Sequence, residues 1–121
     1  MTEVFDTNIL IDFLLGIEPA KNELESYPNA RISIITWIEV MAGAKDVREE
    51  IRLKEFLRRF EWIALDARVA ETTVLLRSCY RLRLPDAAIW ASARIHDAVL
   101  ITRNTKDFPQ SEPDIRVPYY L

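Results

Sequence analysis

The chain has 121 residues, half of them hydrophobic and 29% charged, with a formal net charge of −3. Those values fit one globular domain with a single core rather than a disordered chain. One cysteine and one histidine exclude an internal disulfide, a cysteine zinc cluster and any two-histidine acid–base mechanism. A serine–histidine or cysteine–histidine site would have to recruit His96, whose context offers no support, so carboxylates are the expected means of any hydrolytic chemistry.

The opening stretch MTEVFDTNIL turns acidic at its third residue and has no basic flank before its apolar residues. No secretory signal is expected from it, and a cytoplasmic location is the expectation. Glu3-Val4-Phe5 reads as a short strand. Thr7 is placed to cap a helix over Ile9–Leu15 that Gly16 ends. Pro19 suits the first turn of a helix over Ala20–Ser26. Arg31–Ile35 is short and β-branched, hence a strand, and Thr36 then opens a helix over Trp37–Ala42.

Between Asp46 and Phe60 apolar residues recur at helical spacing with Arg and Glu between them. Trp62–Leu65 is the next strand, and Asp66 caps a helix with Val69, Ala70, Thr73, Leu76 and Tyr80 on one face. Leu84-Pro85-Asp86 begins a helix over Ala87–His96 that is apolar on most sides. Ala98–Ile101 is an apolar strand, Arg103–Asp107 a polar loop, and Ile115–Val117 a short last strand. Strands alternating with helices imply an α/β fold with a parallel sheet covered on both faces.

Four acids have positions that invite a second meaning, and each has an ordinary one. Asp6 follows the first strand and suits a helix cap. Glu39 stands three residues after Thr36, the spacing of a capping box. Asp86 lies in a first helical turn, where negative charge meets the helix dipole. Asp107 suits a solvated turn. Yet Asp6, Glu39 and Asp107 each follow a strand, and ligands of open α/β sheets sit beyond strand C-termini. Asp86 begins the helix that feeds Ala98–Ile101, and pattern alone does not place it at that edge. Carboxylates gathered there would repel one another unless a cation neutralised them, and oxygen ligands suit Mg2+ or Mn2+ better than zinc. Such ions activate water against a phosphodiester without a histidine.

Val4-Phe5-Asp6-Thr7-Asn8-Ile9-Leu10-Ile11-Asp12, Ser33–Glu39, Leu84–Ala91 and Leu100–Phe108, in that order, resemble the segments of a PIN domain, specifically the VapC-type toxins of toxin–antitoxin pairs. The resemblance spans the chain as a single PIN domain over residues 1–121. It implies a three-layer α/β/α fold with a central parallel sheet of four or five strands, and Mg2+- or Mn2+-dependent endoribonuclease activity. It makes Asp6, Glu39 and Asp86 metal-binding acids, supported by Thr7, Asn8 and Thr102. Relatives place a fourth acid at the position of Asn104 or later in the loop; Asp107 is expected to supply the carboxylate, with Asn104 as a neutral ligand or water-holder.

The resemblance also implies an RNA substrate, a cognate VapB-type antitoxin and a homodimer. The outer faces of the Ile9–Leu15 and Asp46–Phe60 helices are the candidate antitoxin surfaces. Arg48, Arg52, Arg58, Arg59, Arg81, Arg83 and Arg103 are the candidates for phosphate contact. The alternative is a PIN fold with a weakened site that binds RNA or antitoxin, and Asn104 is the residue favouring it. A haloacid-dehalogenase-type phosphatase also begins with an apolar strand ending in Asp, but needs a second Asp where Asn8 stands.

Overall fold

Val4 and Phe5 set the plan of the molecule, because each is fully buried in a different one of its two hydrophobic clusters. The computed structural model describes residues 2–121. In chain order the elements are β1 (Thr2–Phe5), α1 (Thr7–Leu14), α2 (Glu18–Ser26), β2 (Arg31–Ser33), α3 (Ile34–Ala42), α4 (Val47–Leu57), β3 (Glu61–Ile63), α5 (Ala67–Tyr80), α6 (Leu84–Ile95), β4 (Ala98–Ile101) and β5 (Ile115–Arg116). The five strands form one sheet in the order β3-β2-β1-β4-β5, with every pairing parallel. This is the three-layer α/β/α arrangement with the larger of the two expected strand numbers.

Side chains alternate across a strand, so neighbouring residues feed opposite layers. Val4, Leu100 and Ile115 join Val69, Leu76, Ile89 and Trp90 beneath α5 and α6. Phe5, Ile32 and Ile101 join Ile9, Leu10, Leu24, Val40, Leu53 and Leu57 beneath α1 to α4. The chain leaves β1 towards β2 and β3 on one side and returns to β4 on the other, so the strand order reverses between β1 and β4. That is where α/β sheets open a crevice at their C-terminal edge. The Asp6 N–H donates to the Ile101 carbonyl at 2.9 Å and ties the two strand ends together there.

Several local expectations are corrected. Thr7 is the first residue of α1 rather than its cap. Asp6 is the cap, extended at φ −71°, ψ 157°, and its Oδ1 accepts from the Thr7 N–H at 2.7 Å. β2 stops at Ser33, and Ile34 and Ile35 belong to α3 despite their β-branching. Ser33 Oγ accepts from the Ile35 N–H at 3.1 Å, and Ile35 packs on the α5/α6 cluster, so a cap and tertiary burial override local propensity. Thr36 is therefore inside the helix and no capping box links it to Glu39.

β3 likewise ends at Ile63 rather than Leu65, because its partner strand ends at Ser33. Asp46 and Asp66 cap α4 and α5 through the Glu49 and Val69 N–H groups. Gly16, at φ +80°, closes α1: the Gly16 N–H reaches the Phe13 carbonyl and the Ile17 N–H reaches that of Asp12, as a Schellman turn requires. Among the described residues no helix is long and apolar enough to cross a membrane.

Candidate active site

The C-terminal edge of the sheet carries a cavity of about 360 Å³, lined by Asp6, Thr7, Asn8, Ile11, Asp12, Glu39, Arg83, Asp86, Arg103 and Asn104. Each acid arrives on a different element. β1 ends one residue before Asp6. α3 carries Glu39, and α6 begins two residues before Asp86, so the helix start left unplaced by sequence pattern does reach this edge.

Asp6 is only 3% exposed and is held by neutral donors alone. Oδ1 accepts from the Thr7 N–H at 2.7 Å. Oδ2 accepts from Thr102 Oγ1 at 2.7 Å and from Asn8 Nδ2 at 3.2 Å. Burial pushes the carboxyl up to about 6; the Thr102 and Thr7 hydrogen bonds oppose that rise, and the charges of Asp86 and Glu39 add to it. Thr7, Asn8 and Thr102 thus surround Asp6. Thr7 Oγ1 also donates to Glu39 Oε1 at 2.6 Å and lies 3.0 Å from Thr36 Oγ1, so one hydroxyl joins α1 to α3.

Asp86 is buried and accepts from Arg83 Nε and Nη2 at 3.3 and 3.2 Å on one oxygen. The Arg83 side chain is 77% exposed. With Glu39 drawn to Thr7 and Asp86 to Arg83, no three His, Cys, Asp or Glu side chains among the described residues already stand as a metal-ligating cluster. The donor set nevertheless fits a hard cation: it is all oxygen, and its most buried member is a carboxylate with no basic partner. Glu39 is exposed, and the Arg83 side chain that holds Asp86 lies largely in solvent, so neither acid is locked to its partner by burial of that partner.

Asp107 does not line the cavity; Asn104 does. Asn104 Nδ2 donates to Asp107 Oδ2 at 3.1 Å, and the Asp107 N–H donates to Asn104 Oδ1 at 3.1 Å, a closed pair that turns the loop. The Asn104 N–H in turn donates to Thr102 Oγ1 at 3.0 Å. Of the seven candidate arginines, Arg83 and Arg103 line the cavity.

Asp12 is a pocket residue that sequence reasoning passed over. It lies in the last turn of α1, is 3% exposed, and is bound by Arg103 and Tyr119. Its signal was present: a lone acid inside the apolar run Ile9–Leu15 has to find a partner when that run is buried. His96 is exposed at the C-cap of α6, the end of that helix away from Asp86, which agrees with a site built from carboxylates.

No curated protein sequence matches the chain at a significant level. A toxin–antitoxin complex from Klebsiella pneumoniae contains a chain 47% identical, with a TM-score of 0.92 over 99% of this chain and 100% of that one. VapBC2 from Rickettsia felis, bound to a fragment of its promoter DNA, superposes with a TM-score of 0.82 at 24% identity, covering 100% and 99%. FitAcB from Neisseria gonorrhoeae does so at 0.82 and 23%, covering 97% and 98%. The last two likenesses show the fold alone. The sequence profile of the PIN domain matches residues 4–111, from the first core residue of β1 to the loop beyond Asn104 and Asp107, and the chain belongs to the PIN-domain family.

Proposed function

We propose that the protein is a VapC-type toxin: a divalent-metal-dependent endoribonuclease of the cytoplasm, silenced by a cognate VapB-type antitoxin. The observation carrying this reading is Asp6, a buried carboxylate with its acidity weakened and two further acids, Glu39 and Asp86, lining the same cavity. The 47% identity to a chain of a toxin–antitoxin complex supports the biological setting.

Asp6, Glu39 and Asp86 would hold Mg2+ or Mn2+, with the Asn104 amide beside them and Asp107 acting through Asn104. A cation bound there lowers the pKa of a water and stabilises charge on the departing oxygen of a phosphodiester. The protein's own part is orientation. Thr7, Asn8 and Thr102 fix both oxygens of Asp6, while Thr7 also sets the distance between α1 and Glu39. Asp86 sits in the first turn of α6, where a negative charge meets the positive end of the helix dipole.

The antitoxin surface fits α4 and its neighbours. A groove lined by Trp37, Ile51 and Trp62, with Lys54, Glu55 and Arg58 at its rim, borders Trp37 Nε1, a buried donor without an acceptor. A homodimer would cover other exposed apolar residues, such as Val74, Leu75 and Leu84 on α5 and α6.

The test is cleavage of labelled structured RNAs in Mg2+ or Mn2+, with and without chelator. Chelator-sensitive cleavage is expected. Binding without cleavage on every RNA tried would replace the nuclease by a PIN-fold binding module.

A further inference from the structure

Asp12 and Arg103 form a pair at the cavity that the proposed ligand set does not use. Arg103 Nε and Nη2 donate to Asp12 Oδ2 and Oδ1 at 2.7 and 3.0 Å, a fork meeting both carboxylate oxygens. Tyr119, near the C-terminal end of the chain, adds its hydroxyl to Oδ2 at 2.8 Å. The main chain of Arg103 is anchored as well. Its N–H donates to Asn8 Oδ1 at 3.2 Å, and the same Asn8 donates to Asp6 through Nδ2. The preceding residue, Thr102, donates its hydroxyl to Asp6. Arg103 is therefore fixed at both ends against the group that carries the site.

That arrangement divides the roles of the pocket's acids. Asp12 has both oxygens taken by an arginine fork and a phenol, so it offers a cation nothing without first releasing them. Arg103, in contrast, keeps a nitrogen in reserve: Nη1 has no protein acceptor among the described residues, and the side chain is 33% exposed. Arg83 also lines the cavity and also keeps Nη1 free among the described residues. Its side chain, however, is 77% exposed and both its bonds go to one oxygen of the ligand carboxylate of Asp86, so its guanidinium is not held in place as that of Arg103 is. A phosphodiester entering a pocket of four acids needs a cationic donor held in place with an N–H left free. A guanidinium with its torsions already fixed loses little conformational freedom on meeting a phosphate oxygen.

We propose that Arg103 is the cation that seats one substrate phosphate beside Asp6, with Asp12 and Tyr119 as its positioning residues. This rests on the nuclease reading and goes beyond it by choosing one arginine and giving Asp12 a role other than metal ligation. A purely structural pair, fastening the Tyr119 segment to α1, makes the opposite prediction in a binding experiment.

The experiment uses a 2′-O-methyl RNA oligonucleotide, which resists cleavage, in chelator, with anisotropy titrations over a salt series. A set of the same oligonucleotide carries one neutral methylphosphonate at each linkage in turn. In the wild type one linkage is expected to stand out, its neutralisation weakening binding about tenfold, the worth of a charged hydrogen bond. In Arg103→Ala that linkage no longer stands out, and the slope of log affinity against log salt falls by about 0.7, one single-strand phosphate contact. Asp12→Asn, which keeps the charge of Arg103 but loosens its fork, also blurs the linkage. Arg68→Ala, exposed on α5, leaves the pattern as in the wild type.

Should Arg103→Ala fail to fold, Arg103→Lys is the variant read, with the same linkage singled out by a smaller penalty. A pattern unchanged in the Arg103 variant, or no distinguished linkage in the wild type, overturns the proposal. None of these readouts needs metal or cleavage. Chelator-sensitive cleavage by the wild type together with a pattern unmoved in the Arg103 variant sinks this inference alone, whereas a wild type without chelator-sensitive cleavage sinks the nuclease reading.

Discussion

The two ends of the sheet treat a half-hidden carboxylate in opposite ways. At the N-terminal edge Asp114 accepts a fork from Arg94, at 2.9 and 3.0 Å, and the Trp90 indole N–H at 2.9 Å. Burial pushes Asp114 up, but the bonds from Arg94 and Trp90 and the charge of Arg94 outweigh it, and the carboxyl is held below its ordinary range. At the C-terminal edge Asp6 is more deeply buried, receives only neutral donors and faces two other acids. The same fold therefore has the means to neutralise an aspartate and uses them at Asp114 but not at Asp6. A carboxylate left in that condition is costly unless something outside the chain supplies positive charge. The difference marks Asp114 as fold and Asp6 as site.

The sharpest way to break this contrast is Asp6→Asn. Supporting residues of a metal site cost 10- to 100-fold when removed, so losing the central ligand is expected to lower RNA cleavage by at least about 100-fold. The same change removes an uncompensated charge, so the metal-free variant at pH 7 is expected to melt no lower than the wild type. Retained cleavage, or a collapsed variant, would put Asp6 in the structural class with Asp114.

A second test follows from acidity in the metal-free protein. The folded Asp6 carboxyl titrates at about 6 against an ordinary 3.8, so between those values the folded state holds the extra proton. Stability from this group is fully present below pH 4 and lost as pH rises through 6, at most about 3 kcal/mol. Melting curves of wild type and Asp6→Asn should agree in acid. As pH climbs to 7 the wild type should fall behind. Parallel curves across that range would mean that Asp6 feels no lack of a counterion.

Much of this edge was legible in the sequence because its residues fall at element boundaries. Asp6, Asp86 and Thr102 follow or begin apolar segments whose type is plain, and strand ends gather at one side of a parallel sheet. What could not be read depended on partners distant in the chain. Ser33 rather than Thr36 caps α3 because Ile35 is needed in the α5/α6 cluster, a demand invisible to local propensity. Asp107 resembles a ligand in spacing, yet it stands off the cavity lining with one carboxylate oxygen accepting from Asn104 three residues earlier. Asp12 meets Arg103 and Tyr119 across 91 and 107 positions, separations that no periodicity reports.

At the other end, Asp114→Ala is expected to lower stability by about 2 kcal/mol, since it strips Arg94 and Trp90 of a charged acceptor while leaving cleavage within about twofold of wild type. Urea unfolding measures the first and RNA cleavage the second. A loss of activity larger than the loss of folded protein would show that Asp114 also shapes the site.

The gentlest perturbation asks whether the two ends are independent. α6 carries Asp86 in its first turn and Arg94 in its last, eight residues and about 12 Å apart along a helix. Tyr80 donates its hydroxyl to Glu112, which lies 3.9 Å from Arg94, while its ring packs 4.8 Å from that of Trp90. Tyr80→Phe keeps the ring contact and removes the hydrogen bond, so a loss of about 1 kcal/mol is expected. Sites this far apart with no shared partner add nearly independently. Combined with Asp6→Asn, the Tyr80 change should therefore lower stability by the same amount as alone, at pH 5 and at pH 7. A pH-dependent excess would mean that α6 transmits strain from the neutralised end to the charged one, and that Asp6 owes its condition to the whole helix rather than to its neighbours.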